Sequence, residues 1–222
     1  MRTLTTLEGI SDGKIYDYED WVEADAGGCE GCSACCHHVG DLVGLTPFDV
    51  YEITQYLGEP FKALQDKHFA LREEKKVLLP YLKMQGADEA CSFLNEAGRC
   101  QIHSHRPNIC RLFPLGRIYE NDGFKYFLQV ASCTKPKLEK VQVKNWVGIA
   151  DYEENKAFVF AWHQLVKALQ FRLKFVRDEE ALADFNNYLL ETFYQLEVKP
   201  GETFYTAFAR ILPEAKSYLG II

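Results

Sequence analysis

The chain has 222 residues and a formal net charge of −7, and hydrophobic residues make up 47% of it. This balance is typical of a folded globular protein and excludes a disordered chain. The negative charge argues against a nucleic-acid partner, since phosphate binding depends on clustered Lys and Arg. No stretch has the roughly 18 apolar residues of a membrane span, and the N-terminus has no secretory signal. We therefore expect a cytoplasmic protein with no membrane partner, folded as one domain over residues 1–222.

The first elements in chain order are a loop and two helices. The segment up to about residue 40 is rich in Gly, Asp and Cys and is predicted to be a loop. A helix is predicted within residues 45–60, with Thr46 as N-cap, Pro47 at its first position and Gly58 ending it. A second helix is predicted over residues 60–74.

Extended structure is predicted in the middle of the chain. Residues 77–84, "VLLPYLKM", indicate a strand with a proline at a bulge or edge. Residues 91–103, "CSFLNEAGRCQIH", indicate a hairpin that turns at residues 95–98. Residues 116–131 predict a second hairpin, because "NDG" separates aromatic and β-branched runs.

From about residue 146 onward the pattern is helical. One apolar stripe is formed by Phe158, Trp162, Leu165, Leu169, Leu173 and Val176. Two further amphipathic segments cover residues 178–199 and 201–222, and Pro213 is expected to interrupt the last. The predicted fold class is α+β: a small, loop-rich cysteine-cluster region with hairpins, about residues 28–133, packed against a C-terminal helical bundle, about residues 146–222.

The eight cysteines all lie in the first of these regions. In a reducing compartment, clustered cysteines favour metal binding or redox chemistry over disulfides. Two thiolates separated by two residues can hold one ion from a tight turn, and "CEGCSACC" contains this spacing twice. The alternative is buried free thiols, since Cys is among the most buried residue types. The cysteines lie in two segments, "CEGCSACC" and residues 91–133, and we predict that these converge on a metal. The candidate ligands are Cys29, Cys32, Cys35, Cys36, Cys91, Cys100, Cys110 and Cys133.

The motifs "CEGCSACC", "CSFL", "GRCQIH" and "RPNICRLFP", in this order, resemble the YkgJ-type CxxCxxCC cysteine-cluster family over about residues 28–115. The resemblance implies a domain that chelates zinc or iron. The cluster is also similar, more weakly, to that of flagellin lysine N-methylase-like proteins. That similarity implies an iron–sulfur centre, S-adenosylmethionine and a protein or peptide substrate, although no glycine loop for S-adenosylmethionine is recognisable.

Charged residues near the cysteines have open interpretations. Arg106 and Arg111 flank Cys110 and could compensate thiolate charge or bind a cofactor carboxylate, or they could form structural salt bridges. His103 and His105 are interpreted as supporting or ordinary side chains rather than ligands, since thiolates are plentiful. The neighbouring pair at residues 37 and 38 is interpreted as exposed loop histidines.

Eight thiols match two four-thiolate sites, or one such site with spare thiols. We expect an iron–sulfur cluster rather than zinc, because one structural zinc takes four ligands and would leave four thiols unexplained. Two functional classes stay open. One is an enzyme that uses the cluster for redox or group-transfer chemistry; the other is a zinc-binding structural or interaction module, or a metal carrier, without catalysis.

Overall fold

The computed structural model describes residues 9–27, 32–40, 42–130, 132–135 and 137–221. Within these residues the strands are β1 Trp21–Asp25, β2 Phe69–Glu74, β3 Val77–Leu82, β4 Met84–Gln85, β5 Ala90–Cys91, β6 Leu115–Tyr119, β7 Phe124–Leu128 and β8 Glu139–Gln142. The helices are α1 Pro47–Leu57, α2 Phe61–Lys67, α3 Asn108–Leu112, α4 Val143–Val147, α5 Tyr152–Leu173, α6 Glu179–Tyr194 and α7 Phe204–Tyr218. The strands form antiparallel pairs, β1–β8, β2–β3, β4–β5 and β6–β7. The α+β class with a helical C-terminal region is therefore confirmed.

Helix α1 begins and ends where the sequence predicts. The Thr46 hydroxyl accepts a hydrogen bond from the Asp49 amide at 3.3 Å, and the Asp49 carboxylate accepts one from the Thr46 amide at 2.8 Å. This capping box satisfies amide groups that have no partner inside the helix. Gly58 ends the helix with a φ of 65°, a conformation that glycine adopts without strain.

The prediction of a helix over residues 60–74 is wrong beyond Lys67. Helix α2 ends there, and β2 pairs with β3 in register from Phe69 opposite Leu82 to Glu74 opposite Val77. The two-residue turn between these strands has positive φ at both lysines, 52° and 70°, as tight hairpin turns require. Lysine is not a usual residue for such a turn, so pairing with an apolar partner strand overrides the local helical pattern.

The prediction of a continuous loop up to residue 40 is also wrong. Residues 21–25 form β1, which alternates buried and exposed side chains and places Val22 and Ala24 in the core. Its partner β8 lies more than 100 residues later in the chain. A five-residue alternation is too short to identify a strand when its partner is so distant in sequence.

The predicted strand at residues 77–84 and both predicted turns are confirmed. Strands β6 and β7 pair from Leu115 opposite Leu128, with the Glu120 amide donating to the Gly123 carbonyl at 2.9 Å. In the earlier hairpin the Gly98 amide donates to the Asn95 carbonyl at 2.8 Å. Its pairing is short, a single bridge between Leu94 and Cys100.

The three predicted C-terminal helical segments correspond to α5, α6 and α7. The apolar stripe of α5 is buried from Phe158 to Leu173, and Val176 lies beyond the end of this helix. The predicted interruption at Pro213 is wrong, because α7 continues through it. The carbonyl of Ala209, which loses its usual hydrogen bond to residue 213, belongs to an exposed residue, so water can satisfy it.

The helices pack directly against the cysteine-bearing region. The Asn186 side chain on α6 accepts from the Leu78 amide at 2.7 Å and donates to the Lys76 carbonyl at 3.0 Å. The Tyr194 hydroxyl donates to the Leu45 carbonyl at 3.0 Å. One hydrophobic cluster contains side chains of both regions. In the part of the chain described by the structure, no helix combines the length and apolar character needed to cross a bilayer.

Candidate metal centre

A cavity of about 380 Å³ is lined by every cysteine that the structure describes: Cys32, Cys35, Cys36, Cys91, Cys100, Cys110 and Cys133. The eighth candidate, Cys29, lies outside the described residues. The structure therefore brings the two cysteine-bearing parts of the chain together around one space.

The first cysteine segment is held by a short 3-10 turn and by strand β5. The turn spans Ala34–Cys36, and the Cys36 amide donates to the Ser33 carbonyl at 2.8 Å. The residues that follow pair with the strand that carries Cys91: the His38 amide donates to the Glu89 carbonyl at 3.1 Å, and residue 37 forms a bridge with residue 90. These backbone contacts place the first cysteines beside Cys91.

The remaining cysteines reach the cavity from three further elements. Cys100 follows the turn at residues 95–98, where the Gln101 amide donates to the Phe93 carbonyl at 2.9 Å. Cys110 lies on the short helix α3, and Cys133 lies in the connection between β7 and β8. Several elements that are separate along the chain, rather than one continuous motif, therefore supply the thiols.

The buried carboxylate of Asp49 positions Cys110. One of its oxygens accepts a hydrogen bond from the Asn108 amide at 2.8 Å, while the other accepts from Thr46. This contact attaches the start of α3 to the first turn of α1 across a long stretch of chain. Burial raises the pKa of Asp49, although its hydrogen bonds act in the opposite direction.

The adjacent cysteines have divergent acidities. The Cys36 thiol donates a hydrogen bond to Cys35. This hydrogen bond and the positive charge of Arg106 lower the pKa of Cys35 to about 7. The same hydrogen bond, together with burial, raises the pKa of Cys36. The shared hydrogen bond therefore favours a single thiolate in this pair.

Burial raises the pKa of the other three thiols that surround this pair, Cys91, Cys100 and Cys110. Neighbouring cysteines add to the effect, because each thiolate disfavours a second negative charge nearby. Ionising several of these thiols together requires a compensating cation, and a bound metal is the usual source in proteins.

The two arginines proposed from the sequence occupy different places. Arg106 lines the thiol cavity, and its guanidinium donates to the His103 ring nitrogen Nε2 at 2.6 Å. Arg111 is not among the residues around that cavity; its guanidinium donates to the Ser104 carbonyl at 2.9 Å. Arg99 also lines the thiol cavity and was not identified from the sequence.

The histidines have distinct surroundings. His103 lines the cavity, and burial together with the nearby arginines lowers its pKa. His105 contacts the Glu52 carboxylate at 3.1 Å and stacks on the Tyr56 ring, which is an ordinary structural role. His37 also lines the cavity, whereas the exposed ring of His38 lies 3.7 Å from the Glu89 carboxylate.

The donor type around the cavity fits zinc or iron, because thiolates are preferred ligands of both zinc and iron–sulfur clusters. Apolar side chains, among them Phe93, Leu94 and Phe113, also line the cavity. Among the described residues, however, no three Cys, His, Asp or Glu side chains lie close enough together to hold one ion. These thiols surround a space rather than form a closed set of ligands.

Comparison with known proteins identifies the family but not a structural relative. No solved structure matches this chain significantly. Residues 28–143, just over half of the chain, match the family model CxxCxxCC, described as "Putative zinc- or iron-chelating domain". The match contains every cysteine in the sequence. Similarity to flagellin methylases is not shown by these comparisons. The chain belongs to the CxxCxxCC family.

Proposed function

We propose that this protein holds a thiolate-ligated iron–sulfur cluster in the cysteine-lined cavity. The observation that carries the proposal is that thiols from five separate parts of the chain border one space of about 380 Å³. The ligands are drawn from these seven thiols and Cys29. Membership of a zinc- or iron-chelating family supports metal binding in general.

The number of thiols and the size of the space favour a cluster over a single ion. A structural zinc takes four ligands at about 2.3 Å and fills the centre of a small tetrahedron. Here more than four thiols border a space much larger than one ion occupies. A cluster of several iron and sulfide atoms uses such a space, and cysteine thiolates are its usual protein ligands.

The surrounding residues have clear tasks in such a centre. Arg99 and Arg106 bring positive charge to the border of the cavity and offset the charge of thiolates. The Phe93, Phe113 and Trp146 side chains contribute apolar surface that limits access of water. When bound, the cluster would supply one-electron redox chemistry, and we propose a redox role on this basis. A reducing compartment such as the cytoplasm would keep the thiols free.

The test is anaerobic purification followed by an absorbance spectrum and analysis for iron, acid-labile sulfide and zinc. Protein with a cluster should absorb broadly in the visible and contain iron and sulfide in similar amounts. Colourless protein with stoichiometric zinc would contradict the iron–sulfur assignment. It would support the second candidate, a zinc-binding structural or interaction module or a metal carrier.

Single serine replacements identify the ligands. Cys35→Ser, Cys91→Ser and Cys110→Ser should each reduce iron and sulfide together, whereas replacement of a spare thiol should leave both unchanged. Ala90→Ser is a control, because it adds a hydroxyl beside Cys91 on the same strand and removes no thiol. If all cysteine variants retained the full metal content of the wild type, the cavity would not be the metal site.

A further inference from the structure

A second cavity, of about 230 Å³, shares a wall with the cysteine-lined one. Arg106 borders both spaces. Arg111 and Asn108 border the second cavity, together with the acidic side chain of Glu52 and the phenol ring of Tyr205. The two arginines that flank Cys110 in the sequence therefore meet around this polar space.

Two residues that border this cavity, Asn108 and Arg106, each carry a buried donor for which no described residue supplies an acceptor. The Asn108 side chain is only 5% exposed, and its amide nitrogen Nδ2 makes no hydrogen bond with any described residue. The buried Nε of Arg106 has no acceptor there either. Buried donors in native proteins nearly always have partners, so two such groups beside one cavity indicate a missing acceptor. Both groups need a hydrogen-bond acceptor.

The backbone of Asn108 and the side chain of Arg111 are held in position by other contacts. The Asn108 backbone amide is bound to the Asp49 carboxylate at 2.8 Å, which fixes the start of α3. The Arg111 guanidinium is anchored by the Ser104 carbonyl at 2.9 Å and retains further N–H groups. The Asn108 backbone and the Arg111 guanidinium are therefore placed without a ligand.

We propose that the second cavity binds a small carboxylate. Planar carboxylates accept paired hydrogen bonds from guanidinium groups, and their second oxygen can accept from an amide such as Asn108. Asp49, Glu52 and Asp151 also border the cavity and disfavour a dianion such as phosphate. The aromatic ring of Phe48 and the side chain of Ile149 give the non-polar part of a ligand an apolar wall.

This inference goes beyond the proposed cluster and does not require one. A bound carboxylate would lie on the other side of Arg106 from the thiols. The site would therefore place a small organic acid next to the proposed redox centre, with one guanidinium facing both.

The test uses isotope-labelled protein as purified and follows its amide signals by NMR during titration with sodium propionate at constant ionic strength. Inorganic phosphate and glycine are titrated in parallel. We expect saturable shifts confined to signals around the second cavity, with propionate binding more tightly than phosphate. Tighter binding of glycine than of propionate would add a role for the acidic residues in holding an amino group and would still support a carboxylate site.

Three variants decide the assignment. Arg111→Gln, Arg106→Gln and Asn108→Leu should each weaken propionate binding about 10–100-fold, the effect of losing one hydrogen bond to a charged group. Arg210→Gln, which removes the same charge from the exposed ion pair with Glu202, should leave binding unchanged. If Asn108→Leu does not fold, the arginine variants decide. Absence of saturable shifts, tighter binding of phosphate, or equal weakening by Arg210→Gln would overturn the proposal. Metal content is measured separately, so failure here leaves the cluster proposal standing.

Discussion

Replacement of Asp49 by alanine should separate α1 from the loop that carries Cys110. Asp49 is 3% exposed, and its two carboxylate oxygens accept hydrogen bonds from the Asn108 amide, the Thr46 amide and the Thr46 hydroxyl, each at 2.8 Å. The variant loses the carboxylate half of the capping box and also leaves a buried amide of α3 without an acceptor, while the Thr46 hydroxyl can still accept from the amide of residue 49. Thr46→Ala removes the cap but retains the contact with Asn108.

The expected loss of stability follows from these contacts. Loss of the N-cap hydroxyl in Thr46→Ala costs about 1 kcal/mol. The unsatisfied buried amide in Asp49→Ala costs roughly 1–3 kcal/mol. Burial raises the pKa of Asp49, so removing the buried charge returns part of this free energy. We expect the free energy of unfolding to fall by about 2 kcal/mol in Asp49→Ala and by about 1 kcal/mol in Thr46→Ala.

Urea unfolding followed by far-UV circular dichroism measures both variants, and an unchanged slope with denaturant would show that the same structure unfolds. Because Asn108 is two residues from Cys110, we also expect a lower metal content in Asp49→Ala than in Thr46→Ala when both are folded. Equal stabilities of the two variants would refute the contribution of the contact between α1 and α3.

Three further outcomes are expected. Gly116→Ala should lower the free energy of unfolding by roughly 1–3 kcal/mol in urea unfolding, since an added Cβ would lie 2.3 Å from the Phe127 ring, whereas Gly123→Ala, with its nearest contact at 3.7 Å, should cost much less. Burial lowers the pKa of His163 to about 4, with a smaller effect from Lys167, so the stability that it contributes above pH 6.5 should be lost as the pH falls towards 4. Because the ring is half-exposed, the expected loss in the free energy of unfolding is reduced to about 1–2 kcal/mol. His163→Phe should flatten the dependence of stability on pH between 6.5 and 4. An identical pH profile in the variant would contradict this role of His163. Metal chelation under reducing conditions should accelerate hydrogen exchange in the cysteine-bearing segments more than in α5, α6 and α7; equal changes in both would argue against a metal in the cavity.

Elements with local signals were predictable from the sequence, and elements that depend on distant partners were not. Helix α1 carries its own start and stop residues, and the β6–β7 turn contains "NDG". Strand β1 is defined by β8, far along the chain, and β2 by its pairing with β3. A window of residues cannot show whether a short apolar segment will find a partner at that distance.

The same distinction applies to the site. The cysteines were identifiable because four thiols within eight residues have few structural explanations. Arg99 carries no such signal, and its place at the cavity follows from the turn at residues 95–98. Nothing in the sequence connects Asp49 with Asn108, because their contact joins two helices that are distant along the chain. The second cavity is visible only in the folded structure, because the residues that line it come from segments distant along the chain.

We expect the cysteine-bearing region to depend on metal less than a zinc finger does. Three of its segments carry a buried apolar side chain two residues after the thiol: Phe93 after Cys91, Ile102 after Cys100, and Leu112 after Cys110. All three side chains belong to the hydrophobic cluster that extends into the C-terminal helices. Classical zinc fingers lack such a core and are unfolded without metal. Here the framework has apolar contacts of its own, so metal removal should loosen the loops around the cavity while the helices stay folded.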